Sequence, residues 1–192
     1  MKFLSWGTGF FLLASTCFAG PINVAFSGNG GVASQSSTAF GGTADRANDG
    51  NTDGAFFNGS VTHTDGEFHA WWEVVFNADY SISQIEIFNR TDCCQDRINP
   101  FSVFLYDSSS NVVWSSGGNS IILPATTATF AVPDIEGRRV RVQLDGSNYL
   151  HMAEVEVMGE IPAPSTVPEP ASLVLMGLGC TGLLLRRGVA RS

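Results

Sequence analysis

The sequence predicts one all-β domain, an antiparallel β-sandwich or jelly roll with long loops at one end. Three observations carry this. Seven short apolar or period-two runs follow one another, each is bounded by Gly, Asn, Asp, Ser or Pro, and no window between them holds a helical period longer than a turn or two. Of the 192 residues, 44% are apolar and 15% charged, enough to fill a core and too apolar for a disordered chain.

The runs are Trp71–Phe76, Gln84–Asn89, Ser102–Tyr106, Asn111–Trp114, Ala128–Val132, Val140–Leu144 and Ala153–Val157. Ile85 and Ile87, Val103 and Leu105, Val140, Val142 and Leu144, and Val155 and Val157 alternate with their neighbours as half-buried strands require. Trp71-Trp72 opens a strand, so one of the two indoles belongs to the core. Ser27 to Phe68 is too polar and glycine-dense for core. Loops of that length in a compact domain tend to carry function.

The two ends read as addresses. Met1 to Ala19 has the order of a secretory signal peptide: Lys2, an apolar stretch from Phe3 to Ala14, and the small-x-small site Cys17-Phe18-Ala19 before Gly20. Residues 20–160 form the domain. Residues 161–170 hold four of the chain's eight prolines and read as an extended spacer. Within residues 171–192, Ala171 to Leu185 is apolar for fifteen residues and ends at Arg186-Arg187. A free-standing span needs about 20 residues, so this one implies transient or thin-membrane C-terminal anchoring, with the arginines on the cytoplasmic side. Val167-Pro168-Glu169-Pro170, the apolar run and Arg186-Arg187 together resemble the PEP-CTERM sorting signal of Gram-negative bacteria. That resemblance implies processing by an exosortase-type enzyme and delivery to the envelope, periplasmic side or outside, or to exopolysaccharide.

The chain carries a formal charge of −8. Between Pro21 and Glu160 stand six arginines, no lysine and seventeen acidic side chains. This excludes nucleic acid as the partner, because a phosphate backbone selects basic stripes. No serine nucleophile elbow, HExxH or nameable carboxylate pair is present, so the sequence does not predict an enzyme. His69 and His151 carry no assignment.

Of the four cysteines, only Cys93 and Cys94 lie in the domain. In an oxidising compartment a disulfide is favoured, as a small strained ring; two free thiols are the alternative. Around them, Asn89-Arg90-Thr91-Asp92-Cys93-Cys94-Gln95-Asp96-Arg97 places two of the six arginines seven positions apart with carboxylates between. Guanidiniums oriented in this way offer fixed donors to neutral hydroxyls, as a sugar needs. A surface salt-bridge loop would have the same composition. From this segment alone both readings stand.

His63, twenty-six residues, Arg90-x-Asp92, four residues and Arg97, with Cys93-Cys94 inside, resemble the sequon of the F-type lectins, the fucolectin family. The resemblance extends in order over Asn23-Val24-Ala25, Gln35-Ser36-Ser37-Thr38, Ala47-Asn48-Asp49-Gly50-Asn51, Ser60-Val61-Thr62-His63-Thr64, Trp71-Trp72-Glu73-Val74 and Ala153-Glu154-Val155-Glu156-Val157. It implies a jelly roll with a shallow L-fucose pocket at the loop end. His63, Arg90 and Arg97 would then bond the axial 4-hydroxyl, the 3-hydroxyl and the ring oxygen, and Asp92 would hold the arginines in register. A Cys93–Cys94 disulfide would pack on the ring's CH surface, and Phe56 and Phe57 would surround the C6 methyl. A discoidin-like matrix or adhesion module, binding another glycan or a protein, is the alternative on the same fold.

Asp49-Gly50-Asn51 by itself reads as an Asx-type turn. The resemblance implies a structural Ca2+ there, held by Asp49, Asn51, Ser60 and Glu154 and by backbone oxygens of Arg46 and Ala153, a hard-oxygen set. Where many animal members have a disulfide, this chain has Val61 and Ala153, so it leans on the cation and on apolar packing. The stretch Gly28-Asn29-Gly30-Gly31 is expected to reshape the first loop.

Overall fold

The computed structural model describes residues 20–162. The signal segment Met1 to Ala19 lies outside the described residues, as do most of the proline-rich spacer and the whole sorting segment. None of the described helices is long and apolar enough to cross a membrane. The described elements are strands and short 3-10 turns. In chain order the strands are β1 (Ile22–Asn23), β2 (Val32–Gln35), β3 (Glu67–Phe68), β4 (Trp71–Asn89), β5 (Phe101–Tyr106), β6 (Val112–Asn119), β7 (Thr127–Leu144), β8 (Ser147–Asn148) and β9 (Met152–Glu160). All ladders are antiparallel.

Two strands are far longer than the sequence suggests. β4 has 19 residues and β7 has 18, where four separate runs were expected. A straight strand of that length would extend roughly 60 Å, so each must bend. The register of β4 on β7 breaks between Val75 and Tyr80, opposite Arg139 and Gly137, and this is the corner; a second irregularity between Ile82 and Gln84 faces Ile135 and Ala131, between which Asp134 has a φ of 51°. One half of each strand therefore builds one layer and the other half builds the second. Trp71–Val75 pairs with Arg139–Gln143, flanked by β2 on one side and by β5 and β6 on the other. Tyr80–Phe88 pairs with Thr127–Gly137 and, on its other edge, with β9, which also carries β1. Two strips missed by the sequence, β1 and β2, are the edges of these layers, and β6 runs five residues past Trp114.

Period two then explains the core. Trp72, Val74, Phe76, Val103, Leu105, Val140, Val142 and Leu144 from one layer meet Ile82, Ile85, Ile87, Val155 and Val157 from the other. Trp72 is the buried indole of its pair, while Trp71 is half-buried outside. Burying this many branched and aromatic side chains, at about 1.5–3 kcal/mol each, opposes the chain-ordering entropy and sets the frame. The pairings Trp71 to Gln143, Phe101 to Leu144, Phe88 to Thr127 and Asn89 to Met152 put all these strand ends at one end of the sandwich. The segments 36–70, 89–101 and 144–152 leave from that end. Thr62 and Thr64 N–H groups donate to Met152 and Leu150 C=O (both 2.9 Å), clipping the first loop to the last.

Candidate functional site at the loop end

β4 delivers Asn89, and the chain then folds back on itself. Asn89 Nδ2 donates to the Gln95 carbonyl (2.8 Å) and Gln95 Nε2 to the Thr91 carbonyl (2.7 Å). A 3-10 turn, Gln95–Ile98, is pinned by the buried Ile98, and Cys94 opens it at φ 57° and ψ 32°. This tight loop presents Arg90 and Arg97 on one side. Arg90 lays Nε and Nη2 on the two oxygens of Asp92, the second at 3.3 Å. Phe56 N–H donates to Asp92 Oδ2 (3.2 Å). The Arg90 hydrogen bond holds the Asp92 carboxyl below the usual carboxylate range, against a smaller opposing effect of burial. A fixed bidentate clamp leaves the outer N–H groups of Arg90 aimed away from its partner.

His63 lies beside both arginines, whose charges act on it. Its Nδ1 is 2.7 Å from the Thr64 carbonyl, and only a protonated nitrogen bonds a carbonyl, so Nε2 keeps its lone pair. Burial first, then the charges of Arg90 and Arg97, push its pKa below the ordinary histidine value. The imidazole is therefore a neutral acceptor next to cationic donors. A hydroxyl has one hydrogen to give and lone pairs to offer, and it can satisfy both kinds of partner at once. His63 is recessed, at 3% exposure, more than a rim position implies. The rings of Phe40 (5.0 Å), Tyr149 (5.4 Å), His151 (5.5 Å) and Phe56 (5.7 Å) surround it.

Arg97 departs from expectation. Asp92 clamps Arg90 alone, and among the described residues Arg97 has no ion pair; its guanidinium stands 5.0 Å over the Tyr149 ring. The stacked geometry orients the fork as a carboxylate would, at less electrostatic cost to its donors. Phe56 sits under the Arg90 guanidinium at 4.8 Å, and Phe57 is 90% exposed; neither is core. Cys93 is exposed and Cys94 half-buried, and the structure holds them as two free thiols, the alternative reading, rather than as a disulfide. Hydrogen bonding to Cys94, then burial, raises the Cys93 thiol pKa, so Cys93 offers a weakly polar surface and not a thiolate.

Of the expected cation ligands, the structure brings Glu154 onto the Asp49-Gly50 turn, and among the described residues no group of three His, Cys, Asp or Glu side chains stands together. Glu154 points away from the core side of β9, as Glu156 does, yet it is fully buried because the Asp49-Gly50 turn covers it. Its Oε1 accepts the Gly50 N–H (3.1 Å), while Oε2 is buried with no protein partner. Burial pushes its pKa up to about 7, the Gly50 bond opposing and the Asp49 charge adding. Asp49 Oδ1 accepts Asn51 N–H (2.8 Å) and Asn51 Oδ1 accepts Asp53 N–H (3.1 Å). The Asx turns are thus real. They do not exclude a ligand role, since each such oxygen keeps a second lone pair. Ser60 is buried and shares its one hydroxyl hydrogen between the Asp53 and Ala55 carbonyls, which leaves its oxygen free to accept. A buried carboxylate with an orphaned oxygen, beside a second carboxylate, fits a hard cation. Val61 and Ala153, at the missing cross-link, are both fully buried, so apolar packing fills that place.

Known proteins give this geometry its family. Residues 46–142 match the sequence family described as NedA-like, galactose-binding domain. Fucolectin-6 of Anguilla japonica is 38% identical over 123 residues, 62% of this chain and 65% of the eel protein. The Fucolectin of Anguilla anguilla is 39% identical over 124 residues, 62% of this chain and 78% of its own length. A fucose binding module of Streptococcus pneumoniae superposes with a TM-score of 0.68 and 35% identity, over 73% of this chain and 96% of the module. The chain belongs to the fucolectin family. The alignment with Fucolectin-6 spans just under two thirds of that relative. Residues 166–188 match the PEP-CTERM protein-sorting motif, in the segment where the sequence order pointed to it.

Within this fucolectin domain, two participants had no usable sequence signal. Tyr149 orients Arg97 from 52 residues away, and Phe40 reaches His63 from a turn that Gly41-Gly42 follows; only the contacts reveal them. Gly42 is a third. A Cβ on it would fall 2.6 Å from the His63 backbone nitrogen and 2.7 Å from the His63 Cβ. Gly42→Ala is expected to displace His63 and lower stability by about 1–3 kcal/mol. Urea unfolding reads the stability, and the imidazole nitrogen resonances of His63 read the displacement.

Proposed function

We propose that this fucolectin domain is a calcium-stabilised lectin that binds L-fucose on glycans or polysaccharide and performs no chemistry on it. One observation carries the reading: the neutral imidazole of His63, with Nε2 left as an acceptor, packs on Phe56 and Tyr149, the two rings over which the Arg90 and Arg97 guanidiniums stand. Vicinal hydroxyls fit an alternating set of acceptor and donors, and a 6-deoxy sugar adds a methyl for Phe56 and Phe57. One methyl discriminates by only about 1–3 kcal/mol, so the axial 4-hydroxyl carries more of the selection. Asp49, Asn51, Ser60, Glu154 and the backbone oxygens of Arg46 and Ala153 would hold the cation, which ties the turn before His63 to β9. The signal segment and the sorting motif export the domain, through an exosortase-type step, to the envelope or extracellular matrix of a Gram-negative cell. Single lectin sites are weak, and tethering to a matrix would add avidity.

The test is a glycan array probed with the purified protein in millimolar calcium, with D-galactose as a competitor because it shares an axial 4-hydroxyl. Binding confined to fucosylated glycans, and displaced by L-fucose ahead of D-galactose, is the expected result. Binding that ignores fucose would replace this reading with the discoidin-like adhesion module.

A further inference from the structure

The domain has six arginines and no lysine, so the place of each guanidinium matters. Arg90 and Arg97 serve the mouth. Arg46 donates to the Val61 carbonyl (3.2 Å), and Arg138 stands 3.8 Å from Asp79. Arg139 and Arg141 remain. They alternate on β7 with the buried Val140 and Val142, so both project from the outer face of the first layer. The register fixes their neighbours. Arg141 lies between Glu73 of β4 and Phe104 of β5, and Arg139 lies between Val75 and Tyr106.

This face repeats the construction of the mouth. There, Asp92 clamps Arg90 over Phe56, and Arg97 stands unclamped over Tyr149. Here, Glu73 Oε2 accepts from Nε (2.9 Å) and Nη2 (2.7 Å) of Arg141, whose guanidinium stands 4.4 Å over the Trp71 ring. Arg139 stands 4.2 Å over Tyr106, and its Nη1 is 3.6 Å from the same Glu73 oxygen, outside hydrogen-bond reach. A ring therefore orients the Arg139 fork while its donors stay free. Two guanidiniums against one carboxylate leave this patch net positive. One part of the mouth has no counterpart. Where the mouth sets a neutral imidazole among its donors, the row across the strands at Arg139 has Val32, Val75 and Tyr106. Donors without such an acceptor suit a carboxylate, which only accepts, better than a pair of neutral hydroxyls.

Folding gives no reason for this composition, because the outer face of an antiparallel layer meets water and is normally polar. The second layer obeys the rule, with Glu86 between Thr129 and Glu156. The first layer instead sets Trp71, Phe104 and Tyr106 outside and adds the cross-strand pair Val32 and Val75, 69% and 39% exposed. Its five strands make an open platform roughly 19 Å across. The acidic face lies on the far side of a sandwich whose sheets stand about 10 Å apart, beyond the ~8 Å over which physiological salt screens charge. The local positive patch thus governs what approaches this side. Two guanidiniums are too few for a nucleic acid, with a charge every ~1.7 Å, and enough for a strand whose carboxylates are spaced one to a sugar ring.

We infer that this outer face is a second binding surface, for an extended polysaccharide that carries carboxylates. Arg139 takes a uronate carboxylate in its fork, and Phe104, Tyr106 and Val75 pack on the CH faces of the sugars beside it. The surface lies on the sheet and the mouth lies at the strand ends, so this inference does not depend on the fucose reading.

The experiment titrates the purified protein, with L-fucose in excess to occupy the mouth, against short oligomers of galacturonate and of mannuronate. Their methyl esters, with the same backbone and no charge, are the controls. Wild type is expected to bind at least one acid oligomer about tenfold more tightly than its ester, the equivalent of one charged hydrogen bond. Arg139→Gln, which leaves the Arg141–Glu73 clamp in place, is expected to lose that tenfold while keeping its unfolding temperature within a few degrees and its retention on fucose–agarose. Phe104→Thr removes ring packing and is expected to weaken acid and ester alike, by about fivefold. Failure of wild type to bind either acid oligomer overturns the surface. So do esters that bind as tightly as acids, and an Arg139→Gln variant that binds like wild type. A sedimentation coefficient that climbs with concentration in wild type and not in Arg139→Gln would give the face to a second copy of the chain, and overturns the inference too.

Discussion

Arg97→Ala is expected to abolish retention on fucose–agarose while moving the thermal unfolding temperature by no more than a few degrees. The asymmetry follows from what Arg97 does in the fold. It is half-buried, pairs with no carboxylate among the described residues, and touches the rest of the site through the Tyr149 ring. A guanidinium–ring contact of this kind contributes about 0.5–1 kcal/mol, which bounds the loss of stability. Binding loses more, because hydrogen bonds from a charged donor are worth about 1.5–3 kcal/mol each. One such loss lowers affinity by roughly one to two powers of ten, and a weak single site then drops below detection on a column. Arg90→Ala would be a poorer probe. It strips the partner from Asp92, which also accepts the Phe56 N–H, so it loosens the whole 54–58 turn. If Arg97→Ala is retained like wild type, Arg97 takes no part in the site. If it elutes unretained but has also lost its folded baseline, the near-wild-type unfolding temperature expected here is contradicted.

The strands of this domain were legible because alternation is a local property. Val140, Val142 and Leu144 write their burial into the sequence with no help from elsewhere. The continuity of β4 and β7 was not legible, since Asn77-Ala78-Asp79 and Pro133-Asp134 look like chain-reversing turns, whereas the first is a corner and the second a register irregularity inside a strand. The site divides along the same line. His63, Arg90 and Arg97 were visible only through the resemblance to the F-type lectin sequon, and the structure gathers them around Phe56 and Tyr149. The means of holding them was visible only in part: Asp92 sits two residues from Arg90, within one loop, but Tyr149 and Phe40 come from loops that sequence separates by more than twenty residues from their partners. Glu154 shows the converse. Period two places it on the outer face of β9 beside Glu156, and nothing in the alternation foretells that a distant Asx turn buries it completely.

That burial sets up the second large effect. Stripping divalent cations with a chelator is expected to lower the unfolding temperature by about 10 °C, because a ligand held only by the folded form at about a thousandfold over its dissociation constant stabilises it by about 4 kcal/mol. The protein left behind should depend on pH in a defined direction. Glu154 has a folded pKa of about 7 against the ordinary value of 4.5, so the folded form binds the proton more tightly than the unfolded form. Stability is then greatest below the unfolded value and is lost as pH rises through about 7, leaving the chelated protein firmer at pH 5 than at pH 8, on the order of 2–3 kcal/mol. With calcium restored, the carboxylate is compensated and that slope should flatten. Glu154→Gln separates cause from coincidence. The amide keeps an oxygen for the Gly50 N–H and carries no charge, so the variant should gain nothing from calcium and should show no step near pH 7. Differential scanning calorimetry at both pH values, with and without calcium, reads all of this. An unchanged unfolding temperature in demonstrably metal-free wild type would remove the cation and leave Glu154 as a buried acid that is simply protonated at neutral pH.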